Sequence, residues 1–286
     1  MADQPVSGAV LGAGTMGSGI AQVMASSGMG VALYDVSGKA LDKGIRMIRR
    51  NLDRQVSKRR ISQEKAEQIL SRIHPSTQLE EVASAKWIVE AVVESLEVKQ
   101  DLLARVEQVV KQEAVLATNT SSLSVTAIAA GTQHPRRVVG LHFFNPAPVM
   151  PLVEVVAGKM TDPEVVEKAV EKVQSWGKDP VRVKDMPGFL VNRVARPFHS
   201  EAYRIVGDGI AKKSQLDRIL RSAGFKMGPF ELQDLIGIDI NYAASVSVYE
   251  GFFQDPRFRP HPDQRRMVDS GALGRKAGRG HYLYDG

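Results

Sequence analysis

Val6-Ser7-Gly8-Ala9-Val10-Leu11-Gly12-Ala13-Gly14-Thr15-Met16-Gly17 is the stretch whose reading decides the fold. Its first half is a short apolar run ending in glycines, the pattern of a strand buried on both faces of a parallel sheet. Gly19 to Ser27 follows, small and apolar, with Ile20, Val23 and Met24 at helical spacing. Val31-Ala32-Leu33-Tyr34-Asp35 reads as a second strand. Strand, glycine turn, helix and strand in direct succession make one βαβ unit.

The turn matches Gly-x-Gly-x-x-Gly, and it stands in the context that gives this common pattern meaning, directly after a strand and directly before a helix. Gly12 permits the tight turn, Gly14 lets the backbone approach a pyrophosphate, and Gly17 lets the helix pack against the sheet. The helix start, through Thr15 and Met16, offers amide donors and a positive partial charge to phosphates. Asp35 lies 21 residues after Gly14, where an acid grips the adenosine ribose hydroxyls and repels the extra phosphate of NADP. An acid capping the next helix is the other reading. The expected cofactor is NAD; Lys39 and Lys43 nearby keep NADP open.

Outward from this unit, residues from about Lys39 to Ile73 read as two charged helices. One carries Leu41, Ile45, Ile48 and Leu52 on a face, the other Ala66, Ile69 and Ile73. They are too long for a simple crossover and are expected to form a hairpin projecting from the sheet. Further strands are expected at Trp87 to Val93, Ala114 to Ala117, Val138 to Phe144, Leu152 to Val156 and Pro180 to Val183, with helices at Val98 to Val110 and Pro163 to Trp176. Alternating strands and helices imply an α/β fold with a mainly parallel, Rossmann-like sheet covered on both faces. After Lys184-Asp185-Met186-Pro187-Gly188 the periodicity is helical throughout. The expected organisation is an NAD-binding domain over 1–186 and an all-α domain over 187–286.

The bulk composition sets limits on the chemistry. The chain has 286 residues, 43% hydrophobic and 24% charged, as in ordinary globular proteins. It has no cysteine, which excludes disulfides, thiolate metal sites and cysteine nucleophiles; no metal is expected. Met1 to Pro5 does not resemble a signal peptide, and no apolar run approaches the ~20 residues that span a bilayer. The cytoplasm is the expected location. The net charge of +6 fits an anionic small molecule better than nucleic acid, because the basic stretch from Arg46 to Arg60 lacks interleaved aromatics. A solvated helix face is the other reading of that stretch.

Of six histidines, His74 and His134 precede prolines in expected loops, His199 lies within a helix, and His261 and His281 fall in a polar tail. His142 differs: it ends an apolar strand and runs into Phe143-Phe144-Asn145-Pro146. Strand ends in a parallel sheet face the ligand crevice, and Glu154 falls near the end of the next strand. A carboxylate beside an imidazole fixes its tautomer and raises its basicity, which suits a general base. A purely structural pair is the alternative from these two residues alone. Ser121, after a strand end, and Asn192, at the start of the first helix of the second domain, are candidates for hydrogen bonds to a reacting oxygen. A helix N-cap is the alternative for Ser121 and the preferred reading of its neighbour Ser122.

Taken together, these stretches resemble the 3-hydroxyacyl-CoA dehydrogenase family in its single-function form, which includes 3-hydroxybutyryl-CoA dehydrogenases. The resemblance rests on Gly12 to Gly17, Val93-Glu94-Ser95-Leu96-Glu97-Val98-Lys99, Asn119-Thr120-Ser121-Ser122-Leu123, Gly140 to Met150 around His142, and Pro187-Gly188-Phe189-Leu190-Val191-Asn192-Arg193. Met227 to Leu232 and Gly274-Arg275-Lys276 add to it. It implies an oxidoreductase of fatty-acid metabolism that converts an (S)-3-hydroxyacyl-CoA and NAD⁺ to the 3-oxoacyl-CoA, reversibly. In that reading His142 is the base and Glu154 its partner. Ser121 and Asn192 contact the substrate oxygen, and Asn145 lies close to the nicotinamide. Glu94, Lys99, Ser121 and Lys276 contact the cofactor. Asn51 and Lys58 hold coenzyme A, although the family can carry serine where Asn51 stands. The resemblance also implies that the helical domain serves substrate binding and dimerisation, with a homodimer formed through it. Two other readings are a dehydrogenase of a free 3-hydroxy acid or sugar acid and a non-catalytic NAD-binding protein on the same scaffold.

Overall fold

The computed structural model describes residues 5–284; the N-terminal reading of Met1 to Gln4 lies outside them. These residues fall into two compact units that meet between Asp185 and Met186.

The first unit is an eight-stranded sheet in the order β3-β2-β1-β4-β5-β6-β7-β8. Its strands are β1 (Val6–Leu11), β2 (Gly30–Tyr34), β3 (Ile73–Ser76), β4 (Trp87–Glu90), β5 (Val115–Thr118), β6 (Val138–Phe143), β7 (Leu152–Ala157) and β8 (Asp179–Lys184). Every neighbouring pair is parallel except β6 and β7. The helices are α1 (Thr15–Ser26), α2 (Gly38–Ser57), α3 (Gln63–Ser71), α4 (Leu96–Val109), α5 (Val125–Ala129) and α6 (Pro163–Ser175). Side chains alternate across the strands. Val10, Val89, Ala117, Leu141 and Val153 therefore pack with α1, α2, α3 and α6 on one face. Ala9, Leu11, Ile88 and Leu116 pack under α4 and α5 on the other. The mainly parallel α/β sheet expected from the sequence is present.

Three details differ from the sequence reading. The stretch at Ile73 is a strand, β3, not the end of a helix, and it takes His74 out of a loop and into the sheet. The α2–α3 hairpin does not project freely. Gly44 of α2 lies so close to α1 that a Cβ there would meet Ser18 Oγ at 2.6 Å and Ala13 O at 2.9 Å, and Leu41, Ile48 and Leu52 are buried in the same core as Ile20 and Val23. Third, β7 runs antiparallel to β6. Only residues 144–151 separate the two strands, too few for the crossover a parallel neighbour needs.

The second unit holds α7 (Val191–Gly207), α8 (Lys213–Ser222), α9 (Pro229–Ile236), α10 (Ile238–Gly251) and α11 (Pro262–Asp269). Its apolar core is small, with Ala202, Tyr203, Leu216 and Phe230 fully packed. Buried hydrogen bonds supplement it. Gln264 donates to Gln233 Oε1 at 3.0 Å and to Asn241 Oδ1 at 2.9 Å, and Arg196 donates to the Asn241 carbonyl at 2.9 Å. His261 and His281 belong to this packing and not to a polar tail: His261 stacks on the Tyr203 ring, and His281 Nε2 lies 3.0 Å from the Tyr203 hydroxyl. Isolated β-bridges join Gly274, Arg279 and Leu283; no regular strand occurs among the described residues here.

Candidate active site

β1 and β4 are neighbours whose following segments depart separately, which leaves a crevice beyond their carboxyl ends. The glycine turn stands at its edge. Gly12 has φ +102°, and a Cβ there would meet the Ala91 carbonyl at 2.7 Å. A Cβ on Gly17 would come within 1.8 Å of the Gly12 carbonyl. A Cβ on Gly14 would meet nothing within 4 Å. Two of the glycines are thus required by the protein's own packing, whereas Gly14 is not; its bare backbone leaves open approach to the start of α1. That helix has no side-chain cap, so its first amides are available to an anion. The turn fits a dinucleotide pyrophosphate.

Asp35 follows β2. Its Oδ2 accepts from Ala13 N at 2.8 Å and its Oδ1 from Ser37 N at 2.9 Å. The carboxylate ties the glycine turn to the start of α2, with lone pairs remaining for ribose hydroxyls. The capping alternative is met by another residue, since Ser37 is the N-cap of α2.

His142 and Glu154 face each other across the β6–β7 pair. His142 Nδ1 lies 2.6 Å from Glu154 Oε2, the histidine nearly buried and the glutamate wholly so. Glu154 is the third residue of β7, not a strand end. Antiparallel register, which places opposed side chains on one face, makes the pair. With Nδ1 turned to Glu154, proton transfer falls to Nε2.

A second cluster surrounds Ser121. Glu94 Oε1 accepts from Thr120 Oγ1 at 2.6 Å, Ser121 N at 3.0 Å, Ser122 N at 3.2 Å and Ser122 Oγ at 2.9 Å. Burial works to raise the Glu94 carboxyl, but the Lys99 charge and these hydrogen bonds outweigh it and hold it below the usual carboxylate range. Lys99 Nζ is 3.3 Å from Glu94 Oε2 and 2.7 Å from Glu90 Oε1. Lys99 is 1% exposed, so its ammonium serves Glu94 from beneath and does not reach the surface itself. Ser121 is exposed at the tip of this turn.

The remaining candidates are spread over the two units. Thr15 and Asn145 are exposed, and Met16 is half-buried. Asn51 is half-buried on α2, its Nδ2 3.4 Å from Gln22 Oε1, and Lys58 is exposed at the C-terminal end of that helix. Residues 38–60 hold nine cations against two acids, so this segment alone exceeds the chain's net positive charge. In the second unit, Asn192 stands in the first turn of α7 and its carbonyl accepts from Arg196 Nε at 3.1 Å. Lys276 Nζ is paired with Asp239 Oδ2 at 2.7 Å.

Two supporting residues escaped the sequence reading. Glu90 is wholly buried and accepts from Lys99, Val92 N and Thr118 Oγ1, each at 2.7 Å. Asn119 Oδ1 accepts from Phe143 N at 2.8 Å, beside His142. The available signal was an acid closing an otherwise apolar strand, Trp87-Ile88-Val89-Glu90, much as Asp35 follows β2.

Comparison with known proteins follows the same division. The family model described as 3-hydroxyacyl-CoA dehydrogenase, NAD binding domain, matches residues 7–186. The one described as 3-hydroxyacyl-CoA dehydrogenase, C-terminal domain, matches residues 188–284. The chain is 50% identical over 275 residues to a protein of Escherichia coli (strain K12) named 3-hydroxyadipyl-CoA dehydrogenase, a match covering 96% of this chain and 58% of that protein. The chain thus spans less than two thirds of that relative. It is 40% identical over 276 residues to a protein of Deinococcus radiodurans named probable 3-hydroxybutyryl-CoA dehydrogenase, covering 96% and 99%. The crystal structure of (S)-3-hydroxybutyryl-CoA dehydrogenase PaaH1 from Ralstonia eutropha has a TM-score of 0.93 at 37% identity, covering 98% of this chain and 99% of that one.

Proposed function

The chain belongs to the 3-hydroxyacyl-CoA dehydrogenase family, and from that premise we propose that it oxidises an (S)-3-hydroxyacyl-CoA to the 3-oxoacyl-CoA with NAD⁺, reversibly. The observation that carries this reading is the buried His142–Glu154 pair, set in a unit whose glycine turn fits a dinucleotide. His142 Nε2 takes the proton of the C3 hydroxyl. Glu154 holds the proton on Nδ1 and stabilises the imidazolium that results. Ser121 and Asn192 align the C3 oxygen. In the reverse direction the same imidazolium returns its proton to the 3-oxo group. Bound NAD⁺ supplies the acceptor for the hydride that leaves C3. Gly12, Gly14, Thr15, Met16, Gly17 and Asp35 hold the adenosine and pyrophosphate end of the cofactor. Glu94, with Lys99 behind it, Asn145 and Lys276 serve the nicotinamide half.

Coenzyme A carries several phosphate charges, and the cations of α2 suit it; Asn51 and Lys58 are its proposed contacts. The names of the relatives, adipyl and butyryl, support a short acyl group. The proposed assembly is a homodimer through the helical unit, where Ile219, Phe225, Leu235, Ile236 and Ile240 are exposed. No helix among the described residues is long and apolar enough to cross a membrane, and the cytoplasmic setting expected from the sequence goes with the proposal. NADH consumption with acetoacetyl-CoA tests the activity. Sedimentation of the intact protein tests the dimer, with a monomer at micromolar concentration as the contrary result.

A further inference from the structure

The segment that carries Ser121 is held by carboxylates at both ends. Glu94 takes residues 120–122. On the other side Asp185 takes residues 124–126. Its Oδ2 accepts from Ser124 Oγ at 2.7 Å, Thr126 N at 2.7 Å and Thr126 Oγ1 at 2.6 Å, and its Oδ1 from Val125 N at 3.1 Å. The Asp185 amide also donates to the Ala157 carbonyl at 3.2 Å, at the end of β7. Thr126 Oγ1 accepts in turn from Lys159 N at 2.9 Å, just beyond β7. One knot therefore joins the Ser121 turn, the strand that bears Glu154, and the last residue of the first unit.

Capping of α5 accounts for only part of this arrangement. Ser124, the N-cap of that helix, accepts from Ala127 N at 3.1 Å, and Asp185 takes the remaining first-turn amides of Val125 and Thr126. The two hydroxyls that also converge on this half-buried carboxylate, and the ties to the end of β7, point to a further task. We propose that Asp185 is a positioning residue of the reaction: it sets the Ser121 turn against β7 at the place where the chain leaves for the second unit. The proposal rests on the reading of Ser121 as a group that aligns the substrate oxygen.

Replacement of Asp185 tests it in the intact protein by kinetics, thermal midpoint and amide hydrogen exchange. Asp185→Ala removes all four acceptor contacts. It should lower kcat by roughly tenfold or more, since small misplacement of an aligning group is costly, with KM for NADH nearly unchanged. Exchange at the Val125 and Thr126 amides should quicken. Asp185→Asn keeps an oxygen where three of the four bonds arrive, and should fall much less. Wild-type kcat in folded Asp185→Ala overturns the proposal. So does an equal loss in both variants accompanied only by a lower midpoint. Should the wild type turn over no acyl-CoA, the functional reading fails by itself, and unchanged exchange in Asp185→Ala then overturns the clamp separately.

Discussion

Glu154 reaches His142 because β7 turns back on β6: the two residues are directly opposed in antiparallel register, Nδ1 2.6 Å from Oε2. Glu154→Gln keeps the shape but can present an amide N–H to Nδ1. That would favour the tautomer with its proton on Nε2, which cannot accept another. We expect kcat to fall by roughly 10²-fold or more, as for loss of a general base, with His142→Gln at least as severe. A Glu154→Gln enzyme with near-normal kcat would show that the carboxylate is only structural.

The glycine turn separates packing from binding. Gly17→Ala places a Cβ 1.8 Å from the Gly12 carbonyl, so it should lower the thermal midpoint and nucleotide affinity together. Gly14→Ala meets no protein atom within 4 Å. It should fold with an unchanged midpoint yet raise the Kd for NADH, measured by calorimetric titration. Unaltered NADH affinity in Gly14→Ala would move the pyrophosphate away from this residue.

Much of this was legible in the sequence, for physical reasons that differ by residue. Periodicity and glycine chemistry are local, so β1, α1, β2 and the turn could be read directly. His142 could be singled out because it ends an apolar strand. The direction of β7 is not local: Leu152 to Val156 looks the same in a parallel or an antiparallel ladder, and only the short connection before it decides. β3 was hidden because Ile73-His74-Pro75-Ser76 contains a proline, which sheets tolerate at an edge, and β3 is an edge strand. Burial of Lys99 between Glu90 and Glu94 depends on three elements meeting and has no signature in spacing alone.

The basic face of α2 should act on the coenzyme A end of the substrate. Lys58→Ala and Arg54→Ala are expected to raise KM for acetoacetyl-CoA, each losing about 1.5 kcal/mol of charged hydrogen bonding, or roughly tenfold. The KM for NADH and for acetoacetyl-pantetheine, which lacks the nucleotide phosphates, should stay put. An equal rise for the pantetheine thioester would return this helix to the role of a solvated surface.

Acid should loosen the helical unit. Burial, then the nearby Arg196 charge, lowers His199 to about 3, and burial followed by the Lys213 charge lowers His281. Free histidine titrates near ~6.5. Below that value the unfolded chain binds protons that the folded unit refuses, so the stabilisation is complete above pH ~6.5 and declines as pH falls toward the folded values. For His199 the slope approaches ~1.4 kcal/mol per pH unit between those limits. Thermal midpoints should drop from pH 7 to pH 5, and less steeply in His199→Gln. Identical slopes would remove His199 from the account.

The most direct test of the central claim is kcat/KM with NADH for acetoacetyl-CoA against free acetoacetate, in wild type and His142→Gln. The account predicts efficient turnover of the thioester only, weaker with NADPH because of Asp35, and a loss of about 10²-fold or more in the variant. Preference for the free acid, or a variant as fast as the wild type, would contradict it.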